Sequence, residues 1–480
     1  MSIFNRNRDN TKTVKPSVAE RTEMIGTEDV GKLLRHFALP AIVAMLANAS
    51  YVIINRIFVG HAVGGTTGIA AITICFPIMI IFMSLSMLIG VGATTLISIR
   101  LGQQKSNEAE VIMGNALSLL FFLPLLCCLG MYFYIEPLLL FFGATESVLP
   151  YAVEYLKIMM PAMIIMSVSM GMNNVIRAEG SPVVAMLSQV LGGAVNVCFN
   201  YLFVMRLGFG MQGAALGAVL GQTFSCIWVM SYFLSPSRSY LKIRAANLLP
   251  RMKYVPSIMI IGFAPFAMQV TASVQNLILN RTLSLQGGDV ALAAVGIIGS
   301  LAPILVMPIV GFGQGAQPII GYNYGARQYD RVRMALKKAT IYASIFAVCG
   351  WIVIQMFPGA LVSIFTNNEP ETVALATYAI VIFFAMLPVV GFQIVCAGYF
   401  QAIGKPVQAT ILSLARQILL FIPLLLILPR FMGLDGVWIS APVSDVAAAM
   451  ITAGWIFAEL RRTGMLTAKA ATAKTQAARA

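Results

Sequence analysis

The stretch Gly90-Val-Gly-Ala-Thr-Thr-Leu-Ile-Ser-Ile-Arg-Leu-Gly102 returns later as Gly313-Gln-Gly-Ala-Gln-Pro-Ile-Ile-Gly-Tyr-Asn-Tyr-Gly325. Gly90, Gly92, Ala93 and Gly102 each meet a residue of the same type 223 positions on, at Gly313, Gly315, Ala316 and Gly325. Each copy is an apolar helix with glycines on it that ends at a glycine and enters a polar loop. The loops are Gln103-Gln-Lys-Ser-Asn-Glu-Ala-Glu110 and Ala326-Arg-Gln-Tyr-Asp-Arg-Val-Arg333. A chain that carries such a unit twice is a duplicated membrane protein, and the rest of the sequence bears on how it is arranged.

The chain has 480 residues, 59% of them apolar and only 10% charged. A soluble domain is nearer 45–50% apolar with about 25% charged. Lipid offers backbone amides no partner, so spans must be helices or a closed barrel. Long apolar runs without alternation exclude the barrel. Each helix needs roughly 20 apolar residues to cross, and this chain has room for twelve. The predicted spans are 35–59, 68–98, 111–134, 147–174, 183–205, 213–234, 257–284, 291–321, 334–357, 373–399, 407–429 and 434–459.

The net charge of +14 does not point to nucleic acid, because Lys and Arg collect in alternate loops as the positive-inside rule predicts. Arg100, Lys105, Arg177, Arg238, Lys242, Arg244, Arg251, Lys253, Arg327, Arg331, Arg333, Lys405, Arg461 and Arg462 fall on one side. Glu136, Glu146, Asp289, Glu371 and Asp435 gather on the other. The topology expected is therefore multi-pass, with both termini in the cytosol. Residues 1–31 read as a disordered cytosolic tail without a signal-peptide core, and 463–480 as a basic cytosolic tail. The polar segment 236–256 separates an N-lobe, 32–235, from a C-lobe, 257–462.

The lobes match in order. Leu39-Pro40 pairs with Ala264-Pro265, and Asn55-Arg56 with Asn280-Arg281, at an offset of 225. Arg177-Ala-Glu-Gly-Ser-Pro182 pairs with Gln401-Ala-Ile-Gly-Lys-Pro406 at 224, and Gln212-Gly213 with Asp435-Gly436 at 223. Six spans per repeat is an even number, so both lobes insert the same way round, related by an axis along the membrane normal. Transporters built from such repeats bind substrate near the midplane and rock one repeat against the other.

Taken together, Asn55-Arg-Ile-Phe-Val-Gly60, the Gly90-x-Gly-Ala helix, the Leu101-Gly-Gln103 exit, Arg177-Ala-x-Gly-x-Pro182 with its echo at 401–406, and Trp438-x-Ser-x-Pro-x-x-Asp445 resemble the multidrug and toxic compound extrusion (MATE) transporters, in particular bacterial multidrug exporters. The resemblance runs over nearly all of 32–462. It implies an all-α protein of twelve helices in two homologous six-helix lobes, V-shaped, exporting cationic amphiphiles against inward Na⁺ or H⁺ across the bacterial cytoplasmic membrane. Many members carry an acid near the outer end of span 1 and another in span 5. Here those positions hold Asn55 and Asn200. An amide ligates Na⁺ but does not take up a proton.

Ionisable groups deep in a span are functional candidates by default, and two stand out: Arg416 in span 11 and Asp445 in span 12. Asp445 follows Pro442, whose missing amide proton favours a kink. Two readings stand side by side: Asp445 as a carboxylate that exchanges H⁺ or Na⁺ for a cationic drug, or a fixed ion pair with Arg416. The duplicated position of Asp445 is Gln222, so a coupling acid belongs to the C-lobe alone. Asn196 and Asn200, one turn apart on one face, join Asn55 as amide oxygens for Na⁺ or substrate, or as interhelical hydrogen bonds of roughly 0.6–2 kcal/mol each. Asn173, Asn174 and Arg177 end span 4, where capping and lipid phosphate are the expected roles and a part in transport the alternative. The many methionines suit a promiscuous cavity.

No Walker-type phosphate loop is present, and no enzyme constellation shares a membrane face, so neither a cofactor nor catalysis is expected. Expected partners are small organic cations and the bilayer, with a monomeric chain and no metal beyond Na⁺ at Asn55, Asn196 and Asn200. The alternative function is a lipid-linked oligosaccharide flippase of the same two-lobe build, which would need a cavity ringed by Arg and Lys.

Overall fold

The structure, a computed structural model, describes residues 18–62, 66–235, 237–364 and 370–463. It is all helical, with no strand among the described residues. Among the described residues eleven helices are long and apolar enough to cross a membrane, and a bent pair makes the twelfth. Spans 1 to 6 are Val30–Ala62, Thr66–Gly102, Ser106–Phe133, Leu149–Ala178, Pro182–Arg206 and Gly210–Leu234. Spans 7 to 9 are Val255–Gly288, Val290–Gly325 and Tyr329–Met356. Span 10 joins Pro370–Phe383 to Leu387–Ala402 across a 49° bend, and spans 11 and 12 are Pro406–Met432 and Leu434–Arg462. Most spans run several residues past the apolar segments that announce them, because helices continue into the polar interface until a glycine or proline stops them. Gly288, with φ 58°, provides the turn between spans 7 and 8.

Two expectations change, and one segment gains definition. Residues 1–31 are not uniformly a tail: Val18–Thr27 is a helix, and its Ile25 is fully buried. Asp29 then caps span 1, its Oδ1 accepting from the Gly31 and Lys32 amides at 2.8 and 2.9 Å. Residues 1–17 and 464–480 lie outside the described residues. The interlobe segment 236–256 is stapled to the N-lobe along its length. Glu110 of span 3 accepts from the Lys242 amide and pairs with Arg244 at 2.8 Å, while Asn115 holds Asn247 and Arg251. The second change is Arg177, which reaches across to the C-lobe instead of out to lipid phosphate.

The lobes meet through the duplicated glycines. A Cβ on Gly102 would overlap the Tyr322 carbonyl, and one on Gly325 would overlap the Ile99 carbonyl. Ile99 and Tyr322 are themselves equivalent positions, so these two contacts are the twofold copies of each other. Further up, Gly262 packs on Leu88, Gly92 on Ile258, Gly311 on Ile42 and Gly315 on Ala38. Only residues without a side chain allow helix backbones this close. All of these approaches lie in the half of the molecule next to the basic loops.

The cores divide the same way. One apolar cluster takes in Ile89, Ala93, Ile97, Met172 and Val229 of the N-lobe together with the C-lobe residues Ile258, Ile319, Val395 and Trp438. A second, separate cluster holds only N-lobe residues on the opposite side, among them Cys75, Phe82, Leu139, Leu156, Met160 and Ala215. The lobes thus share a core that begins on the basic side and runs on through the C-lobe, while the N-lobe keeps a core of its own on the acidic side. That is a V closed at the basic face.

Candidate functional site

An N-lobe cavity of about 290 Å³ lies at mid-span between spans 1, 2, 4, 5 and 6. Spacing along each helix builds it. Asn48 and Tyr51 share a face of span 1, Met79 and Met83 of span 2, and Met166, Met170 and Asn173 of span 4. Span 5 gives Gln189, Gly192, Gly193 and Asn196, and span 6 gives Gly221, Gln222 and Ser225. Glycines are needed here: a Cβ on Gly221 would lie 2.6 Å from Asn196 Cβ, and one on Gly192 2.9 Å from Ser225 Cβ. The lining holds methionines, aromatic rings and amides, with no charged side chain among the described residues. Of the span 4 methionines, Met166 and Met170 line the cavity, whereas Met159, Met160, Met163 and Met172 are buried in the packing.

The three asparagines come together one turn beyond. Asn200 Nδ2 donates to Asn55 Oδ1 at 2.6 Å and to Asn196 Oδ1 at 3.2 Å. This joins spans 1 and 5 as an interhelical bond. Asn200 Oδ1 is buried without a partner, against Gly217. The donor NH₂ now sits between the two oxygens that Na⁺ would use. Rotation of the Asn200 amide would exchange its NH₂ for the unpartnered oxygen and set three amide oxygens side by side. Span 5 changes to a π-helix at Tyr201–Arg206, directly after Asn200, a distortion that often accompanies functional residues.

The C-lobe has its own distortion. Arg416 lies in the π-helix Ala415–Phe421 of span 11, and its Nε donates to Asp445 Oδ1 at 2.6 Å. Arg416 and Asp445 are thus in contact, which both readings of Asp445 allow. The Asp445 side chain is 7% exposed and that of Arg416 34%, so the pair is buried from the carboxylate side and open from the guanidinium side. Other polar groups of the C-lobe, Gln393 Oε1, Gln417 Oε1 and Trp438 Nε1, are buried without a partner. The structure therefore brings together Asn55, Asn196 and Asn200, sets Asn196 and Gln222 on one cavity, and pairs Arg416 with Asp445. The two sets stay in different lobes. No group of three or more potential metal-ligating His, Cys, Asp or Glu residues occurs among the described residues.

Sequence reasoning places Arg177 at the lipid phosphate and Asn173 as a cap. Instead Arg177 bonds Gln314 of span 8 and Asn174, so it bridges the lobes. Asn173 Nδ2 donates to the Ala185 carbonyl at 2.7 Å and to Ser188 Oγ at 2.6 Å, tying span 4 to span 5 beside the cavity. Glu179 is a residue that sequence reasoning passes over. Its carboxylate accepts from Tyr232 OH, Ser239 Oγ and the amides of Tyr240 and Leu241 at 2.9–3.3 Å. Burial pushes its pKa up to about 7 against the pull of those donors. The signals for cavity residues are present as i, i+3, i+4 and i+7 series; for Glu179 only the three-dimensional path of the linker reveals it.

Two pseudo-equivalent six-helix lobes, joined at one face and holding polar groups at mid-membrane, are the architecture of a membrane transporter. The chain belongs to the MatE family, which matches residues 40–202 and 264–427, once in each lobe. Multidrug export protein MepA of Staphylococcus saprophyticus is 26% identical over 88% of this chain and 92% of its own. MepA of Staphylococcus aureus strain N315 is 25% identical with the same coverage. Among solved structures, an outward-facing multidrug resistance MATE family transporter of the MOP superfamily superposes with a TM-score of 0.87 at 22% identity, over 94% of this chain and 99% of its own. A chain called protein A is 34% identical over 91% of this chain and 97% of its own, with a TM-score of 0.84.

Proposed function

We propose that the chain is a secondary active antiporter that exports cationic amphiphilic compounds across a bacterial cytoplasmic membrane in exchange for Na⁺ or H⁺, with both termini in the cytosol. The observation that carries this reading is the segregation of chemistry between lobes. An uncharged cavity rich in methionine lies in one lobe, and a buried acid with a single cationic partner lies in the other. Methionine and aromatic side chains adapt to many apolar bodies, and rings with amide oxygens receive a positive charge without demanding a fixed geometry. The MepA relatives are named as multidrug exporters, which agrees with such a lining.

The coupling ion acts at Asp445. A proton or Na⁺ on the carboxylate replaces Arg416 as its counter-charge and frees the guanidinium toward its exposed side. Span 11 then holds a cation without its partner, and the packing of spans 11 and 12 that suited the pair no longer does. Drug and ion need only favour opposite tilts of the lobes to be exchanged, since a ligand shifts an equilibrium by its differential affinity for the two states. The flippase alternative gains nothing from this site, because the lining has no Arg or Lys to hold pyrophosphate.

The test is ethidium efflux from proteoliposomes driven by an imposed Na⁺ gradient, then by a pH gradient. Acceleration by one of them names the ion; acceleration by neither refutes antiport. Loss of the response in Asn200→Ala but not in Asp445→Asn would move the ion site to the asparagines.

A further inference from the structure

The helix Val18–Thr27 lies ahead of the first span and is tied to both lobes at the basic face. On the N-lobe side, Thr22 Oγ1 donates to the Glu179 carbonyl at 3.2 Å. Gly180, with φ +91°, sits so close that a Cβ there would lie 3.0 Å from the Arg21 carbonyl. On the C-lobe side, Asn323 Nδ2 of span 8 donates to the Ile25 carbonyl at 3.0 Å. Arg331 of span 9 donates to the same carbonyl at 3.1 Å and to that of Glu28 at 2.6 Å. Arg331 Nε also donates to Asn323 Oδ1 at 2.9 Å, so the two residues hold each other in place. A guanidinium on the last carbonyls of a helix also meets the negative end of its dipole. Gly26 lies against the Tyr322 ring, where a Cβ would come within 2.9 Å.

Tyr322 is the residue whose carbonyl touches Gly102 across the lobe boundary. The helix therefore covers the place where the duplicated glycines cross. The Glu179 backbone that receives Thr22 also belongs to the residue whose carboxylate holds the interlobe linker. The contact is not a product of the duplication. The position equivalent to Arg331 is Glu108, which pairs with Arg100 at 3.1 Å, and the chain has one N-terminus.

We propose that residues 18–28 form a clasp that holds the two lobes together at the basic face, and that the transporter opens to that side only when the clasp lets go of one lobe. The inference rests on the lobes rocking apart, as in the function proposed above, and not on the identity of drug or ion. Its bonds to Glu179 and to Asn323 and Arg331 cannot all survive a separation of spans 2 and 8. The clasp thus sets how often the binding cavity becomes reachable from the basic side.

The experiment is hydrogen–deuterium exchange on the full chain in nanodiscs, comparing wild type, Thr22→Val, Arg331→Gln and the double variant. Thr22→Val keeps the side-chain shape and acts on one lobe; Arg331→Gln acts on the other. Thr22→Val loses one hydrogen bond, a net stabilisation that corresponds to roughly a fivefold change in an equilibrium, and Arg331→Gln loses at least as much, since its guanidinium makes three. Each single variant is expected to speed exchange by about fivefold or more in 18–28 and also in the seal segments 98–104 and 319–327. The double variant is expected to add little, because a clasp free at one end no longer holds at the other. Apparent ethidium affinity from the basic side should rise by a similar factor, as the competent state becomes more populated. The proposal is overturned if exchange rises in 18–28 while the seal segments keep their wild-type protection, or if the two single effects multiply in the double variant. The exchange readout needs no transport, so it tests the clasp even if the protein proves not to be an antiporter.

Discussion

Replacing Asp445 by Asn separates the two roles open to the Arg416 pair. Asparagine keeps the shape and still offers Oδ1 to the Arg416 Nε–H, now 2.6 Å away, but a neutral acceptor gives a hydrogen bond about half as strong as a charge-assisted one. It also leaves the guanidinium without a counter-charge. Breaking a fully buried pair costs about 3–5 kcal/mol. Arg416 is a third exposed, and solvent screens it, so the expected loss is about 2 kcal/mol. The double variant Asp445→Asn/Arg416→Gln removes both charges and should recover to within about 1 kcal/mol of wild type, since paired neutral replacement is often tolerated. Thermal unfolding in detergent measures the stability cycle, and gradient-driven ethidium efflux in proteoliposomes measures coupling. A coupling acid predicts a double variant that is stable yet no longer driven by either ion. If the stable double variant, or Asp445→Asn itself, effluxes ethidium at the wild-type driven rate, the pair is a structural brace and the coupling assignment is wrong.

Gly193→Leu should abolish ethidium transport with little loss of stability, because a Cβ there meets nothing nearer than 3.8 Å and the side chain can grow into the cavity; binding by fluorescence and thermal unfolding separate the two effects. Gly262→Ala should instead destabilise the closed basic face, since the new Cβ would overlap the Leu88 backbone carbonyl, which cannot move aside as a side chain can; a cost of about 1–3 kcal/mol should appear as faster hydrogen exchange in residues 88–104. For Glu179 the sign is fixed by a folded-state pKa of about 7 above an ordinary 4.5. Its contribution is full below about pH 4.5 and is lost as pH rises through about 7, a difference of roughly 3 kcal/mol at 1.36 kcal/mol per unit. Glu179→Gln should flatten the pH dependence of thermal stability in that window, and an unchanged slope would show that the carboxyl does not carry it.

Much of the fold was legible because lipid removes choices. Apolar length fixes the spans, and the duplication fixes the lobes, as the paired contacts of Gly102 and Gly325 bear out. The pairing of Arg416 with Asp445 and the asparagine trio were also within reach, since consecutive antiparallel spans and one-turn spacings are local geometry. The clasp helix was not legible. Residues 18–27 are polar on average and too few to announce a buried face, and what orders them is Asn323 and Arg331, about three hundred residues away. Arg177 failed for the same reason. A basic residue at a span end reads as an interface residue until one knows that span 8 brings Gln314 to it.

The duplication explains why the charged groups sit where they do. Gly102 and Gly325, with Ile99 and Tyr322, form a contact that only a twofold arrangement of like parts provides, and it needs glycine in both copies because backbone meets backbone. Symmetry of that kind suits a joint that rocks, since each lobe presents the same smooth surface. The glycine contacts lie on the basic side alone and so favour closure there whatever is bound. Any bias beyond that has to come from groups present once, and two such groups are Asp445, whose equivalent is Gln222, and Arg331, whose equivalent is Glu108. Asp445 answers to Arg416 in the C-lobe core, and Arg331 to the helix carbonyls at the basic face. Exchanging Arg331 with Glu108 would therefore leave the glycine joint intact and remove the clasp. Such a swap should preserve the lobe packing measured by hydrogen exchange in spans 4 and 10 while 18–28 loses protection. Loss of protection throughout both lobes would show instead that Arg331 supports the fold itself, and that the joint and its bias are not separable.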